Sequence, residues 1–331
     1  MEETIKQILQ AIYQSSKIVV TTHANPDGDA IGSVLALKHY ARNISKELYV
    51  ILPGTIPENL LFLPGISDII NVDNVDYASI INEADTIIIV DLNDLGRLDG
   101  IAKLIGTSDA KKILIDHHPE PTINAEIILS DQKASATGIL IWRIINCDNR
   151  FVINSDIAVC LYTAIMTDTG CFRFSNTDPE THRAIAELIQ AGAEPSSIYD
   201  KVYNVRTFEQ AKLLGDGFAN MEIFYSGKLC IMTLNMEQFH KTNTSEDDID
   251  NFVETVLTTK GVLVAVLIAE LPDKNEIKIS FRSKLGFNVR TLAQLFGGGG
   301  HNQAAGAKVE YGNILQIRQQ IVEQAEMIFK D

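Results

Sequence analysis

Four short segments of the chain carry side chains whose types and spacing suit metal-assisted hydrolysis. The first is THANPDGDAIGS, residues 22–33, which holds His23, Asp27 and Asp29. Pro26 stiffens this loop and Gly28 frees it, so two carboxylates one residue apart can diverge. The second is Asp91, directly after the apolar run TIIIV. The third is ILIDHHP, residues 113–119, with Asp116, His117 and His118. The fourth is MTDTGCF, residues 166–172, where Asp168 closes a long apolar helical pattern. An anion at the negative end of a helix is unfavourable, so a function is expected to offset it. Singly these residues have ordinary uses: Asp29 reads as a helix N-cap and Asp27 as a turn residue. Together they mix hard carboxylate oxygens with imidazole. That set favours manganese, cobalt, iron or zinc over calcium, and is more than one partly open site needs. Two metals about 3.5–4 Å apart, sharing one carboxylate, fit the inventory; such a pair activates water at neutral pH and clamps an in-line displacement at phosphorus.

The elements that must position these residues alternate in type. KIVVTT (17–22), ELYVIL (47–52), TIIIV (86–90) and KILI (112–115) are short and β-branched, so they read as buried strands. Helical patterns such as AIGSVLALKHYA (30–41) lie between them. This is the α/β pattern of a parallel sheet with helices on both faces, in which ligands gather beyond the carboxyl ends of the strands. After residue 133 the pattern turns helical, ending in a connecting helix at 207–221. A smaller α/β unit follows, with strands at 228–234, 261–271 and 276–282 and helices at 247–257, 288–296 and 314–329. The expected division is a catalytic, metal-binding domain over 1–205, a helical linker over 206–226 and a second domain over 227–331.

Composition narrows the function. The 331 residues are 46% hydrophobic and 21% charged, which suits a folded chain and not a disordered one. The net charge of −15 counts against tight sequence-independent binding of long nucleic acid, whether duplex or single strand, because that affinity comes from lysine and arginine on phosphates. A short nucleotide in a local site is compatible with it. No apolar run is long enough to span a membrane, and the N-terminus MEETIKQILQ lacks the features of a secretion signal. The scattered cysteines Cys147, Cys160, Cys171 and Cys230 form no C-x-x-C pair, which favours a reducing cytoplasm. The sequence leaves a homodimer open.

In order, HANPDGDA, the Asp91 strand tip, DHH and TDTG resemble the DHH phosphoesterases, and the C-terminal SFRSK and GGGGHNQAAG (297–306) resemble the DHH-associated domain of the nanoRNase/pAp phosphatase branch. The resemblance covers nearly the whole chain. It implies that His23, Asp27 and Asp91 hold one metal and that Asp29, Asp91, His117 and Asp168 hold the other. Manganese is the expected ion. It also implies that His118 faces the scissile phosphate and that Asp116 supports the site.

The glycine run reads alone as either a hinge or a phosphate cradle. It follows a helix and precedes HNQAAG, taken here as a further helix start whose free N–H groups could hold an anion. Gly298, Gly299 and Gly300 would then contact phosphate. His301 would hydrogen-bond or stack, and Arg282 would bind in bidentate fashion. With the resemblance, the second domain is expected to clamp the substrate across a cleft. Arg173 and Asn176, after TDTG, are further candidates to line the site. By resemblance the expected reaction is hydrolysis of short oligoribonucleotides to mononucleotides and of adenosine 3′,5′-bisphosphate to AMP. The alternative is a phosphodiesterase acting on cyclic di-AMP or its linear product pApA.

Overall fold

Six runs rich in isoleucine and valine make the first sheet. In the computed structural model, which describes residues 1–72, 77–271, 274–284 and 286–329, they are β1 (Lys17–Thr21), β2 (Glu47–Leu52), β3 (Ile69–Asn71), β4 (Thr86–Val90), β5 (Lys111–Asp116) and β6 (Ile127–Ser130). All pair in parallel, in the order β3-β2-β1-β4-β5-β6. The order reverses between β1 and β4. In open α/β sheets this switch point is where two loops diverge and leave a crevice.

Helices cover both faces: α1 (Glu2–Gln14), α2 (Gly28–Asn43), α3 (Tyr77–Asn82), α4 (Ala102–Thr107), α5 (Thr137–Asn146), α6 (Ser155–Asp168), α7 (Pro179–Gln190) and α8 (Pro195–Tyr203). Burial on both sides explains why the strands read as unbroken apolar runs. Ile18, Val20, Ile88, Val90, Ile113 and Ile115 point into one core with α1, α2 and α5–α8. Val19, Ile87, Ile89 and Leu114 point into the other with α3 and α4. Each such side chain contributes about 1.5–3 kcal/mol relative to exposure. Between α2 and α6 the backbones nearly touch. A Cβ on Gly32 would lie 2.4 Å from the Cys160 carbonyl oxygen, and one on Gly28 would lie 2.4 Å from Thr167 Oγ1.

The chain divides into two compact units, Met1–Val205 and Arg206–Asp331. In the second, α9 (Phe208–Ala219) is not a bare connector: Leu213 and Leu214 belong to that unit's core. Its sheet contains β7 (Glu222–Phe224), β8 (Leu229–Leu234), β9 (Val264–Leu271), β10 (Glu276–Ser283), β11 (Gly299–Gly300) and β12 (Ala304–Glu310), in the order β11-β12-β10-β9-β8-β7. β8 and β9 are parallel and the other pairs antiparallel. On its faces lie α10 (Met236–Thr242), α11 (Phe252–Leu257), α12 (Arg290–Leu295) and α13 (Ile314–Phe329).

Two expectations are corrected here. HNQAAG does not start a helix. It turns a tight hairpin from β11 into β12, with the His301 N–H on the Ala304 carbonyl at 2.7 Å. Ala304 and Ala305 suit a helix as well as a strand, but pairing with β10 supplies the ladder that decides the conformation. The helix expected over 247–257 is broken into a short 3-10 turn, Glu246–Ile249, and α11, because Asn251 takes a left-handed conformation at φ 65°. No described helix is long and apolar enough to cross a membrane.

Candidate metal centre

β1, β4 and β5 deliver most of the centre from their carboxyl ends, on both sides of the switch point. Beyond β1, Asp27 is the N-cap of α2, and its Oδ1 accepts from the N–H groups of Asp29 and Ala30 at 3.0 and 3.1 Å. Asp29 therefore sits within the first turn and is not the cap itself. Beyond β4, Asp91 takes a left-handed conformation, φ 56°, with its N–H on the Ile115 carbonyl at 3.0 Å. That bend, tolerated by aspartate better than by most residues, turns its carboxylate back over the strand ends. Asp168 is the last residue of α6, brought beside α2 by the glycine contacts described above.

Three groups of ligand-type atoms result, in each of which the atoms lie within 4.8 Å of one another: His23 with Asp27 and Asp91, Asp29 with His117 and Asp168, and Asp91 with His117 and His118. His117 Nε2 is 3.5 Å from Asp168 Oδ2, 3.7 Å from Asp91 Oδ1 and 3.9 Å from Asp29 Oδ2. Its Nδ1 is 3.3 Å from the Ala134 carbonyl, so Nδ1 carries the proton and Nε2 offers its lone pair to the carboxylate side. His23 Nε2 lies 3.6 Å from Asp91 Oδ2. His118 is oriented differently: its Nδ1 donates to Asp116 Oδ1 at 2.7 Å, which leaves Nε2 unbonded.

The electrostatics are those of a cation site. His23, Asp29, Asp91 and Asp116 are buried. Among the described residues, the ion pairs of Asp29, Asp91 and Asp168 are with histidines alone. Burial, reinforced by the charges of Asp91, Asp168 and Asp27, pushes the Asp29 carboxyl far up. Burial and then repulsion from Asp91 and Asp27 push Asp168 up to about 6. Asp27 keeps an open edge to solvent, yet the protein packed behind it and the charge of Asp91 raise it too. Burial would also raise Asp91, but contact with His23 and the proximity of His118 and His117 hold it low. The hydrogen bond to Asp116 raises His118 against its burial. Buried polar atoms without a partner gather here as well: Thr21 Oγ1, Thr22 Oγ1, His23 Nδ1 and Asp116 Oδ2. Four clustered carboxylates that, among the described residues, meet histidines and no lysine or arginine, with unpartnered polar atoms beside them, fit divalent cations.

Two contributors carry no signal in the sequence. Thr137, at the start of α5, donates its hydroxyl to Asp91 Oδ1 at 3.1 Å and its N–H to Asp29 Oδ2 at 2.6 Å. Gly138 N–H donates to Asp29 Oδ1 at 2.9 Å. The positive end of a helix thus holds a deeply buried carboxylate. Ser33, which reads as a helical residue, also donates to Asp29 Oδ1 at 3.3 Å. Of the residues after TDTG, Asn176 Nδ2 donates to the carbonyls of Ser135 and Asp168 at 2.9 and 3.3 Å, and Arg173 stands over the Phe174 ring.

In the second unit, Arg282 on β10 pairs across the ladder with Ala304, whose carbonyl receives the His301 N–H, so these two candidates meet at one hairpin. Arg282 Nε donates to Glu254 Oε1 at 2.6 Å. The Gly298 N–H is taken by the Ala293 carbonyl at 2.9 Å, while Gly299 and Gly300 pair with Gly306 and Ala305.

Comparison with known proteins gives the chain its relatives. Residues 17–165 match the DHH family, N-terminal domain, and residues 226–330 match the DHHA1 domain. The chain is 28% identical over 319 residues to a bifunctional oligoribonuclease and PAP phosphatase NrnA of Thermus thermophilus, covering 96% of this chain and 91% of that one. It is 26% identical over 339 residues to a cyclic-di-AMP phosphodiesterase PdeA of Listeria monocytogenes, spanning half of that protein. The structure of an exopolyphosphatase-related protein from Bacteroides fragilis superposes with a TM-score of 0.92 at 33% identity, over 100% of this chain and 98% of the other.

Proposed function

The chain belongs to the DHH family, with a DHHA1 domain following its DHH domain, and from that premise we propose that it hydrolyses short oligoribonucleotides to mononucleotides and adenosine 3′,5′-bisphosphate to AMP. The observation that carries this reading is the convergence of His23, Asp27, Asp29, Asp91, His117 and Asp168 at the carboxyl end of the sheet, with histidines and no lysine or arginine paired to the carboxylates among the described residues. His23, Asp27 and Asp91 would hold one divalent ion, and Asp29, Asp91, His117 and Asp168 a second, with manganese the preferred ion. Bound there, the ions supply Lewis-acid activation of water and neutralise charge at phosphorus.

The chain's own residues do the rest. Asp116 fixes the His118 ring and raises its proton affinity. His118 Nε2 is then the group that donates a proton to the leaving oxygen or a hydrogen bond to the phosphoryl oxygens. Thr137 and the α5 N-terminus aim Asp29 and Asp91. Arg282, Gly298, Gly299, Gly300 and His301 are proposed to contact the substrate from the second unit. The substrate class rests on the Thermus thermophilus relative, which matches over nearly its whole length. The cyclic-dinucleotide reading is favoured by the Listeria monocytogenes protein, of which this chain matches only half. We place the protein in the cytoplasm on its four free cysteines.

The test is a substrate panel with manganese: a dinucleotide, a five-residue RNA, a long RNA, adenosine 3′,5′-bisphosphate and cyclic di-AMP, with Asp91→Asn as control. Fast cleavage of the short RNAs and the bisphosphate is expected. Preference for cyclic di-AMP selects the second reading, and activity on none of them removes both.

A further inference from the structure

Immediately after Asp168 the backbone does something costly. Gly170, Cys171 and Phe172 take φ values of 54°, 59° and 66°, three left-handed residues in succession, two of them not glycine. Such strain persists only where the surroundings over-determine it. Here Thr169, wholly buried, does so: its Oγ1 donates to the Ile165 carbonyl at 2.6 Å and accepts from the Phe172 N–H at 3.1 Å. Its carbonyl accepts from the N–H groups of both Arg173 and Phe174 at 3.1 Å. The Cys171 N–H returns to the Met166 carbonyl at 2.8 Å.

The product of this turn is the position of one ring. Phe174 folds back onto Gly170, so closely that a Cβ there would lie 2.4–2.6 Å from the ring atoms. The ring is not buried by this; it stays 49% exposed. The Arg173 guanidinium stands 5.3 Å from its centroid. A hydrophobic packing role would hide Phe174, and a solvated loop would not need the strain. An exposed ring with a cation beside it, six and five residues after Asp168, has the chemistry that receives a flat, electron-rich heterocycle.

We propose that Phe174, with Arg173, is the stacking platform for a nucleobase of the substrate whose phosphate reaches the metal centre. This inference rests on the nucleotide-hydrolase reading above and deepens it: it assigns a specificity-determining residue in the first unit. Phe174 sets recognition of the base and leaves the chemical step to the metal ligands and His118.

The experiment uses the full chain with manganese. A phosphorothioate dinucleotide carrying 2-aminopurine reads stacking by fluorescence quenching, and turnover is measured on a normal dinucleotide and on an abasic one. For Phe174→Leu we expect loss of most of the quenching. We also expect KM for the normal dinucleotide to rise about tenfold, the effect of losing one stacked base. The kcat should stay within about twofold, and cleavage of the abasic substrate should be unchanged. Phe174→Trp restores quenching, and Arg173→Ala, which leaves the turn intact, gives a smaller loss in the same direction. Melting curves establish that each variant is folded. Unchanged quenching in Phe174→Leu, or equal losses on the normal and abasic substrates, overturns the platform. Wild-type protein that quenches the probe but cleaves nothing overturns the proposed reaction and leaves the platform standing; wild-type protein that neither quenches nor cleaves overturns both.

Discussion

The hydroxyl of Thr137 donates to Asp91 Oδ1 at 3.1 Å, so the carboxylate shared by two ligand groups is aimed by a side chain from another element. The backbone of the same residue holds Asp29. Thr137→Val removes the first contact and keeps the second. Loss of a hydrogen bond behind a metal ligand typically costs about 10–100-fold in metal affinity or activity. A shift of that size is expected in the manganese dependence of turnover, with Thr137→Ser close to wild type. A manganese titration of Thr137→Val that overlays the wild-type curve would remove Thr137 from the site.

The crowded carboxylates make the metal-free protein store repulsion that cations relieve. Manganese at about a hundred times its dissociation constant should add about 2.7 kcal/mol to stability. The melting temperature should therefore rise by several degrees with manganese and fall with a chelator. Asp91→Asn should abolish both the rise and the activity. Asparagine is the sharper substitution than alanine because it tolerates the left-handed conformation at φ 56°, so the charge alone is removed. A manganese-induced rise in Asp91→Asn equal to that of wild type would show that the ions bind elsewhere.

Much of this centre was legible in the chain because three of the four motifs directly follow a short apolar run, and a run of that kind ends at the carboxyl end of a parallel sheet. His23, Asp91 and His117 all obey that rule. Thr137 was not legible, since it acts through a hydroxyl and an N–H at a helix start far from Asp91 in sequence. The edge strands β3 and β6 were missed for a different reason. They have three and four residues, and neither is apolar throughout its length. HNQAAG does not start the expected helix because Ala304 and Ala305 suit either state, and only pairing with β10 distinguishes them. Nor could the sequence show that Arg282 is held by Glu254, a contact across 28 positions.

Close approach of α2 and α6 is what brings Asp29 and Asp168 to one histidine, and at Gly32 that approach is to the backbone of α6. A methyl group there would meet the Cys160 carbonyl oxygen at 2.4 Å, a backbone atom that cannot rotate away. Gly32→Ala should cost about 1–3 kcal/mol through overpacking and should raise the manganese concentration needed for turnover. Gly215, inside α9, is the control, because a methyl group there would enter open space with no neighbouring atom within 4 Å. Gly215→Ala should stabilise the protein by about 0.5–1 kcal/mol by reducing the freedom of the unfolded chain. Denaturant midpoints moving in opposite directions for the two variants would bear this out. A neutral Gly32→Ala would mean that the two helices can slide apart without cost.

Glu246 gives the second unit its own acid sensitivity. Lys278 and Lys308 face each other across β10 and β12, a repulsive pair of neighbours. Glu246 lies against both, at 3.4 and 2.8 Å, and reaches Lys274 at 2.7 Å. Burial alone would raise its carboxyl, but the contacts with Lys274 and Lys308 hold it at about 2, below the ordinary 4.5. A depressed acid stabilises the fold fully above its unfolded value and loses that contribution as the pH falls through its folded value. The window is therefore about pH 4.5 down to 2. With the lysines partly in water, the contribution is about 1–2 kcal/mol at neutral pH, weakened by salt. Glu246→Gln should be less stable than wild type by that amount at pH 7, and the difference should shrink towards zero at pH 2. Urea unfolding followed in the second unit at several pH values reads this directly, and a difference that stays constant down to pH 2 would place the stabilisation in packing and not in charge.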